Sequence, residues 1–287
     1  MPCMAVPIFG LGGAQTPALE VAEHYERGTK IATPVTTILL PTFVLRCIWC
    51  VMTKPSIMTA VFLWATLWAN TVVGQDWSLL SAEEQAPYAA VGKLVKGRIG
   101  NQGLCTATLI SPSHILTAAH CLDSASRGTP SQMRQFTFAA GWNDGQALAT
   151  SSIADIYIPS EYERSDEKQL ETLNFDWAIA RLVDPISNVK PFPIVSVPGS
   201  WEQVYYLTYS PANTEAPLLT SGCDHRVMEQ GPLQIACPAR NGNSGAAVLV
   251  GNPTNPQIVG VIVAQARNNA FAVIPSEELL SLVSAMQ

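Results

Sequence analysis

Short apolar runs separated by Gly, Pro, Asn and Ser recur along the chain after residue 87. Each run is four to seven residues long, which is a usual length for a β-strand and short for a helix. Many such runs at this spacing predict an all-β barrel or sandwich. The runs are Ala89–Val95, Cys105–Ile110, Phe136–Ala139, Ile153–Ile158, Trp177–Leu182, Val204–Tyr209, Leu233–Cys237, Ala246–Val250, Ile258–Val263 and Phe271–Ile274.

One segment near the C-terminus predicts a helix. It opens with Pro-Ser-Glu-Glu at residues 275–278, and apolar residues follow at helical spacing at positions 279, 280, 282 and 283. Residues 160–174 are highly charged and predict an exposed loop. Neither an internal repeat nor a low-complexity tract interrupts the pattern.

Composition allows a sizeable core and argues against one class of partner. Hydrophobic residues make up 48% of the chain and charged residues 13%, so extensive disorder is not expected. The net charge of −6 argues against a nucleic-acid partner, because binding to phosphates needs a basic face.

A secretory signal peptide is predicted over residues 52–74. Lys54 precedes an apolar run from Ile57 to Trp68, and small residues end at a cleavage position near Gly74. The alternative is a membrane anchor, but the run is short and Asn70 interrupts its far end. We therefore expect a secreted or periplasmic protein that has no membrane association after signal cleavage.

The segment before the signal peptide does not fit an exported protein. We interpret residues 1–51 as an N-terminal extension that results from a start site assigned too early, with translation beginning at Met52. The alternative is a genuine extended leader, in which the apolar patch Ile38–Val51 would be an anchor. Residues 75–86 are polar and acidic, and we interpret them as a short lead-in or propeptide.

The cysteines support this division of the chain. Of the seven, Cys3, Cys47 and Cys50 precede the signal peptide. The remaining even number suits an oxidising compartment and allows three pairings. These cysteines include no CxxC pair and have no histidine at zinc-site spacing, so no metal site is expected. They are Cys105, Cys121, Cys223 and Cys237.

Three separate segments carry the side chains that serine-mediated acyl transfer requires. His120 lies in a Thr-Ala-Ala-His-Cys segment, Asp176 precedes an apolar strand, and Ser244 lies in Gly-Asn-Ser-Gly. An imidazole would take the serine proton, a buried carboxylate would fix its tautomer, and the amides of Gly242 and Ser244 would form the oxyanion hole. Each fragment alone is weak, whereas the three in this order in an exported chain indicate a catalytic triad.

These segments resemble a known family. The sequences TAAHC, DWAIARL and GNSGAAV are similar to the triad segments of chymotrypsin- and trypsin-like serine peptidases, and the resemblance extends over residues 86–285. It is greatest to the bacterial branch that includes the glutamyl endopeptidases. The family implies an all-β fold of two antiparallel six-stranded β-barrels with a C-terminal helix. Residues 87–185 would form the first barrel with His120 and Asp176, and residues 186–287 would carry Ser244.

The resemblance also implies the disulfides and the activity. It pairs Cys105 with Cys121, which leaves Cys223 to pair with Cys237. It implies an endopeptidase that acts on polypeptides as a monomer and needs no cofactor. The alternative is a catalytically silent member that binds peptides or partners in its cleft. An esterase is disfavoured, because the G-x-S-x-G motif and the order Ser, Asp, His are absent.

Two departures from the family pattern affect activation and specificity. Asn243 replaces the aspartate that pairs with a new N-terminal amine in digestive members, so we expect no activation by that ion pair. The predicted substrate pocket has no charged side chain, which favours an apolar or small residue before the scissile bond. Its residues are Ala239, Ile262, Val263, Ala264 and Gln265.

The remaining candidates are given structural roles. Arg240 and Arg267 lie near the predicted pocket in sequence and are interpreted as solvated loop charges. His114 follows a Ser-Pro-Ser turn and is expected to be exposed. His225, close to Cys223, is expected in a loop.

Overall fold

A computed structural model describes residues 76–97, 105–162, 172–196, 203–210, 213–229 and 231–286. The strands are β1 (Asp76–Leu79), β2 (Val91–Lys96), β3 (Cys105–Ser111), β4 (His114–Thr117), β5 (Phe136–Ala140), β6 (Ala149–Tyr157), β7 (Ala178–Leu182), β8 (Val204–Ser210), β9 (Asn213–Cys223), β10 (His225–Val227), β11 (Leu233–Ile235), β12 (Ala247–Val250), β13 (Gln257–Ala266) and β14 (Asn269–Val273). The helices are α1 (Ala82–Gln85), α2 (Asp123–Ser126), α3 (Pro130–Met133) and α4 (Glu277–Ala285), and 3-10 turns cover Ala86–Tyr88, Ala119–Cys121 and Thr172–Phe175.

The first six-stranded sheet closes into a barrel in the order β2-β3-β4-β7-β6-β5, with every neighbouring pair antiparallel. All seven residues of β3 are buried. A barrel strand normally alternates between interior and solvent. On β3 the outward face is covered as well, because Thr106 bonds to Tyr209 of the second sheet and to Ser244 in the turn before β12. This strand therefore lies between the two halves of the fold.

The second sheet has eight strands in the order β1-β9-β8-β12-β13-β14-β11-β10, and all its pairs are antiparallel. The expected all-β fold with a C-terminal helix is confirmed, with one difference in the second half. In place of a closed six-stranded barrel, the described residues form an open sheet. Its two edges are the short strands β1 and β10, which a strand assignment from apolar runs does not detect.

The segment expected as a lead-in or propeptide, residues 75–86, contributes regular elements to this sheet. Asp76–Leu79 pairs with β9 as the edge strand β1. Ser81 then caps α1 through a capping box with Glu84. The side chain of Gln85 is buried and donates to the Tyr209 hydroxyl at 2.9 Å. Part of the segment is therefore built into the fold.

The predicted C-terminal helix is confirmed as α4. The hydroxyl of Ser276 accepts a hydrogen bond from the amide of Leu279, and Leu279 and Val283 are buried. Of the loop predicted at 160–174, residues 163–171 lie outside the described residues, and Leu173 in the following turn is buried. The predictions for residues 1–74 also lie outside them. Within the described ranges, no helix has the length and hydropathy needed to cross a membrane.

Candidate active site

The carboxylate of Asp176 accepts two hydrogen bonds from His120. The backbone amide of His120 donates to Oδ1 at 2.9 Å, and the ring nitrogen Nδ1 lies 2.8 Å from Oδ2. The Asp176 side chain is 4% exposed, whereas the His120 side chain is 23% exposed. The buried carboxylate therefore holds the histidine in place, while part of the histidine side chain stays exposed to solvent.

The register of two neighbouring strands places this pair. Strand β4 runs antiparallel to β7, with Thr117 opposite Ala178. His120 follows the end of β4 in a 3-10 turn, and Asp176 lies two residues before the start of β7. Both side chains therefore emerge at the same end of the barrel although they are far apart in sequence.

The hydrogen bond to Asp176 defines the state of the imidazole. An ionised carboxylate only accepts hydrogen bonds, so this contact favours the neutral tautomer that has its proton on Nδ1 and leaves Nε2 as an acceptor. A neutral imidazole with Nε2 free to accept is the form that can take a proton from a hydroxyl. The pair can thus act as a general base.

Ser244 lies on a tight turn between two glycines with left-handed backbone conformations. Gly242 has φ +90 and Gly245 has φ +80. A Cβ atom at Gly245 would clash with the Thr117 hydroxyl oxygen and the Thr106 carbonyl oxygen, and would lie 3.0 Å from the Ala118 amide nitrogen. The close approach therefore requires glycine. It packs the Ser244 turn against the segment that leads into His120.

The backbone amides of this turn differ in whether they have an acceptor among the described residues. The amide of Asn243 donates to Arg240, and that of Gly245 donates to Ile262 at 2.7 Å. The amides of Gly242 and Ser244 donate to no other described residue. These are the two amides predicted to form the oxyanion hole.

The Ser244 hydroxyl and the His120 ring share no hydrogen bond in the described structure. The serine is half-buried, and its carbonyl oxygen accepts from the Thr106 amide at 2.9 Å. In free enzymes this catalytic hydrogen bond is often long or poorly aligned and tightens when substrate binds. The structure brings together His120 and Asp176 directly, and Ser244 through the packing of its turn.

Both disulfides implied by the family resemblance are formed. Cys105 is bonded to Cys121, and Cys223 to Cys237, with Cα–Cα distances of 6.2 and 5.6 Å. The sulfurs of the first pair and a ring nitrogen of His120 lie within 4.8 Å of one another. Because both sulfurs are in the disulfide, they offer no thiolate ligand to a metal. Each bridge is expected to contribute roughly 3 kcal/mol to stability.

The five residues predicted to line the substrate pocket lie on two segments near the Ser244 turn. Residues 262–265 belong to β13, and Ala239 precedes the turn. Ala239, Ile262 and Val263 are buried, Ala264 is half-buried and Gln265 is exposed. Two surface cavities in the described residues contain none of the five. The pocket assignment therefore stays a prediction.

The structure agrees with the expectations for the two arginines and differs from those for the other two histidines. Arg240 and Arg267 are exposed, as predicted for loop charges. His114 was expected to be exposed, but it begins β4, is half-buried and lies 2.9 Å from the Ser111 hydroxyl through Nδ1. His225 was expected in a loop, but it begins the edge strand β10, where it pairs with Ile235.

Sequence analysis missed Thr106, whose side chain and backbone reach the Ser244 turn. Its hydroxyl donates to the Gly242 carbonyl oxygen at 3.0 Å. The only available signal was a threonine in an apolar run next to a cysteine. Thr108 is a second threonine in the same apolar run, and the position next to Cys105 has no known meaning for the turn, so the sequence could not single out Thr106.

A closed barrel joined to a second antiparallel sheet, with a His–Asp pair at the barrel end, is typical of the chymotrypsin-like class of folds. Residues 105–261 match the trypsin-like peptidase domain, and this match covers more than half of the 287 residues. The chain belongs to the trypsin-like peptidase family, which confirms the resemblance. A search among curated proteins finds no match.

Solved structures show the same fold. A Glu endopeptidase in complex with MPD is similar with a TM-score of 0.57 and 21% identity, over 75% of this chain and 98% of the other. A thermostable serine protease from an extremophilic microorganism has a TM-score of 0.50 and 20% identity, over 68% and 93% of the two chains. The VesB protease of Vibrio cholerae has a TM-score of 0.51 and 17% identity, over 69% and 64%.

Proposed function

We propose that the protein is a secreted serine endopeptidase that hydrolyses polypeptides through an acyl-enzyme intermediate. The observation that carries this proposal is the double hydrogen bond from His120 to the buried Asp176 carboxylate. It leaves Nε2 of the partly exposed imidazole to act as an acceptor. The nearby Ser244 turn supplies a hydroxyl and two unused amides, which are the other components that acyl transfer needs.

In the proposed reaction, Ser244 Oγ attacks the carbonyl carbon of the scissile peptide bond and its proton passes to Nε2 of His120. The amides of Gly242 and Ser244 donate to the oxygen that becomes negatively charged. The carbon–nitrogen bond then breaks, and the leaving amine takes the proton from His120. Water hydrolyses the resulting ester with His120 again as the base. Asp176 stabilises the imidazolium and stays ionised throughout.

The proposal extends to substrate, location and assembly. The predicted pocket side chains Ala239, Ile262 and Val263 are apolar, which supports cleavage after apolar or small residues. The two disulfides fit an oxidising compartment and therefore export. We propose a monomer that acts on polypeptides without a cofactor.

The competing function is a silent family member that binds peptides in its cleft. To separate the two, purified wild type and Ser244→Ala are incubated with a diverse peptide mixture, and the products are identified by mass spectrometry. Ser124→Ala is the matched control, because Ser124 is exposed on α2. We expect cleavage by wild type and the control and none by Ser244→Ala. Absence of cleavage by all three, with peptides still bound, would favour the silent member.

A further inference from the structure

Thr106 is the point at which the first barrel holds the turn that carries the nucleophile. The residue is fully buried on β3. Its amide donates to the Ser244 carbonyl oxygen at 2.9 Å, and its hydroxyl donates to the Gly242 carbonyl oxygen at 3.0 Å. One residue therefore holds the turn at positions on both sides of Asn243.

The orientation of the Thr106 hydroxyl is itself fixed by the second sheet. The backbone amide of Tyr209 donates to Oγ1 of Thr106 at 3.0 Å. A hydroxyl has one proton, so once its oxygen accepts from Tyr209 the proton is left to point at Gly242. The Thr106 carbonyl oxygen in turn accepts from the Thr117 hydroxyl at 2.9 Å, in the segment that leads to His120.

The backbone hydrogen bonds within the turn, from Asn243 to Arg240 and from Ala246 to Asn243, do not hold the Gly242 carbonyl oxygen. Gly242 has the left-handed φ of +90 and no side chain, so its peptide plane is intrinsically free to rotate. The Asn243 side chain forms no hydrogen bond with any described residue, and its amide bonds only to nearby Arg240. The other anchor outside the turn is the backbone of Ile262, which bonds beyond Ser244 at Gly245 and Ala246.

We propose that Thr106 is a positioning residue whose hydroxyl fixes the Gly242–Asn243 peptide and so aims the oxyanion amides. Its catalytic consequence rests on the proposed peptidase function, whereas its effect on the turn does not. In this chain the threonine does for the turn what a charged anchor at position 243 would do in members that have one. Thr106 touches neither substrate nor the reacting atoms.

The strand provides a matched control for this proposal. Thr108 lies two residues further along β3, is equally buried, and its hydroxyl has no hydrogen-bond partner among the described residues. Thr106→Val and Thr108→Val make the same change of shape and polarity. Only the first removes a hydrogen bond to the Ser244 turn, the one from the Thr106 hydroxyl to the Gly242 carbonyl oxygen. Thr106→Ser keeps the hydroxyl and tests rescue.

The experiment compares the three variants with wild type in two measurements. The first is amide hydrogen exchange of residues 240–245, read by mass spectrometry. The second is kcat and KM on a peptide that wild type cleaves. For Thr106→Val we expect faster exchange in the turn and a fall of about 10- to 100-fold in kcat, with KM changed by less than about threefold. Thr106→Ser and Thr108→Val are expected to stay close to wild type.

The outcomes separate this proposal from the proposed function. Unchanged exchange in Thr106→Val, or an equal change in Thr108→Val, would overturn the positioning role whether or not the protein hydrolyses peptides. Faster exchange with unchanged kcat would also overturn it. If wild type cleaves nothing, the proposed function fails, and the exchange comparison alone decides whether Thr106 holds the turn.

Discussion

His120 donates to Asp176 twice, once from its backbone amide at 2.9 Å and once from its ring nitrogen at 2.8 Å. The backbone bond fixes where the carboxylate stands relative to the 3-10 turn, and the ring bond then fixes the imidazole. Because the carboxylate is buried, it needs hydrogen-bond partners from the chain in place of water. This one residue pair therefore sets both the position of the carboxylate and the orientation of the imidazole ring.

Replacing Asp176 by Asn tests the role of this carboxylate. An amide can donate to Nδ1, which would place the imidazole proton on Nε2 and remove the base. We expect kcat to fall by about 10⁴-fold with the fold retained. Steady-state kinetics and circular dichroism measure the two effects. Asp155→Asn, at an exposed position on β6, is the control, and a similar loss in both variants would refute the specific role of Asp176.

Replacing two glycines of similar backbone conformation by alanine distinguishes the cost of backbone strain from the cost of a steric clash. Gly245 and Gly145 have φ values of +80 and +78, but a Cβ at Gly145 would have nothing within 4 Å. Gly145→Ala should cost about 1–2 kcal/mol of unfolding free energy from backbone strain. Gly245→Ala should cost more and should abolish activity, since the Ser244 turn must move away from Thr106 and Thr117. Urea unfolding and peptide hydrolysis provide the comparison, and equal effects on stability would contradict the packing described.

The side chain of Gln85 joins the N-terminal segment to both halves of the fold. It donates to the Tyr209 hydroxyl and to the Trp142 carbonyl oxygen, and it accepts from Asn143 at 2.7 Å. Gln85→Leu should lower the free energy of unfolding by about 1–3 kcal/mol, because buried polar groups lose their partners. Glu83→Leu, on the exposed side of α1, should stay within about 0.5 kcal/mol.

A truncated form tests the same segment. Protein that begins at Ala86 lacks β1, α1 and Gln85, and we expect it to be less stable than protein that begins at Gln75. Thermal unfolding of the two forms gives the comparison. Equal melting temperatures would show that residues 75–85 add nothing to the fold and would restore their interpretation as a dispensable lead-in.

Stability should depend on pH through His114. Burial, and to a lesser degree the neighbouring Arg181, lower the pKa of His114 from its ordinary value of 6.5. Between that value and the lower folded one, the unfolded chain binds more protons, so stability falls as the pH drops through this range. His114→Gln should lose less stability than wild type between about pH 7.5 and about pH 5.5. Urea unfolding at both pH values measures this, and parallel losses would be inconsistent with it.

The part of the fold that could be predicted from sequence is the part that is buried. Strands such as β3 and β12 are covered on both faces, so they read as continuous apolar runs. The strands β1 and β10 each pair on one side only, as sheet edges, and their sequences, Asp-Trp-Ser-Leu and His-Arg-Val, carry no such run. Their pairing depends on backbone hydrogen bonds to β9 and β11, which sequence does not reveal.

The same distinction holds at the candidate site. His120, Asp176 and Ser244 could be found because acyl transfer demands those residue types in recognisable local sequences. Thr106 could not, since its function depends on which buried threonine happens to face the Gly242 carbonyl oxygen. The packing of Gly245 on Thr117 is likewise a tertiary contact between segments that are distant in sequence.

The central claim is that His120 activates the hydroxyl of Ser244. A fluorophosphonate reports this without knowledge of the substrate, because an activated serine oxygen displaces fluoride from phosphorus and stays covalently bound. After labelling, peptide mapping should place a single adduct on Ser244, and His120→Ala should slow its formation by orders of magnitude. An adduct on another residue, no adduct at all, or the same rate in His120→Ala would contradict the claim.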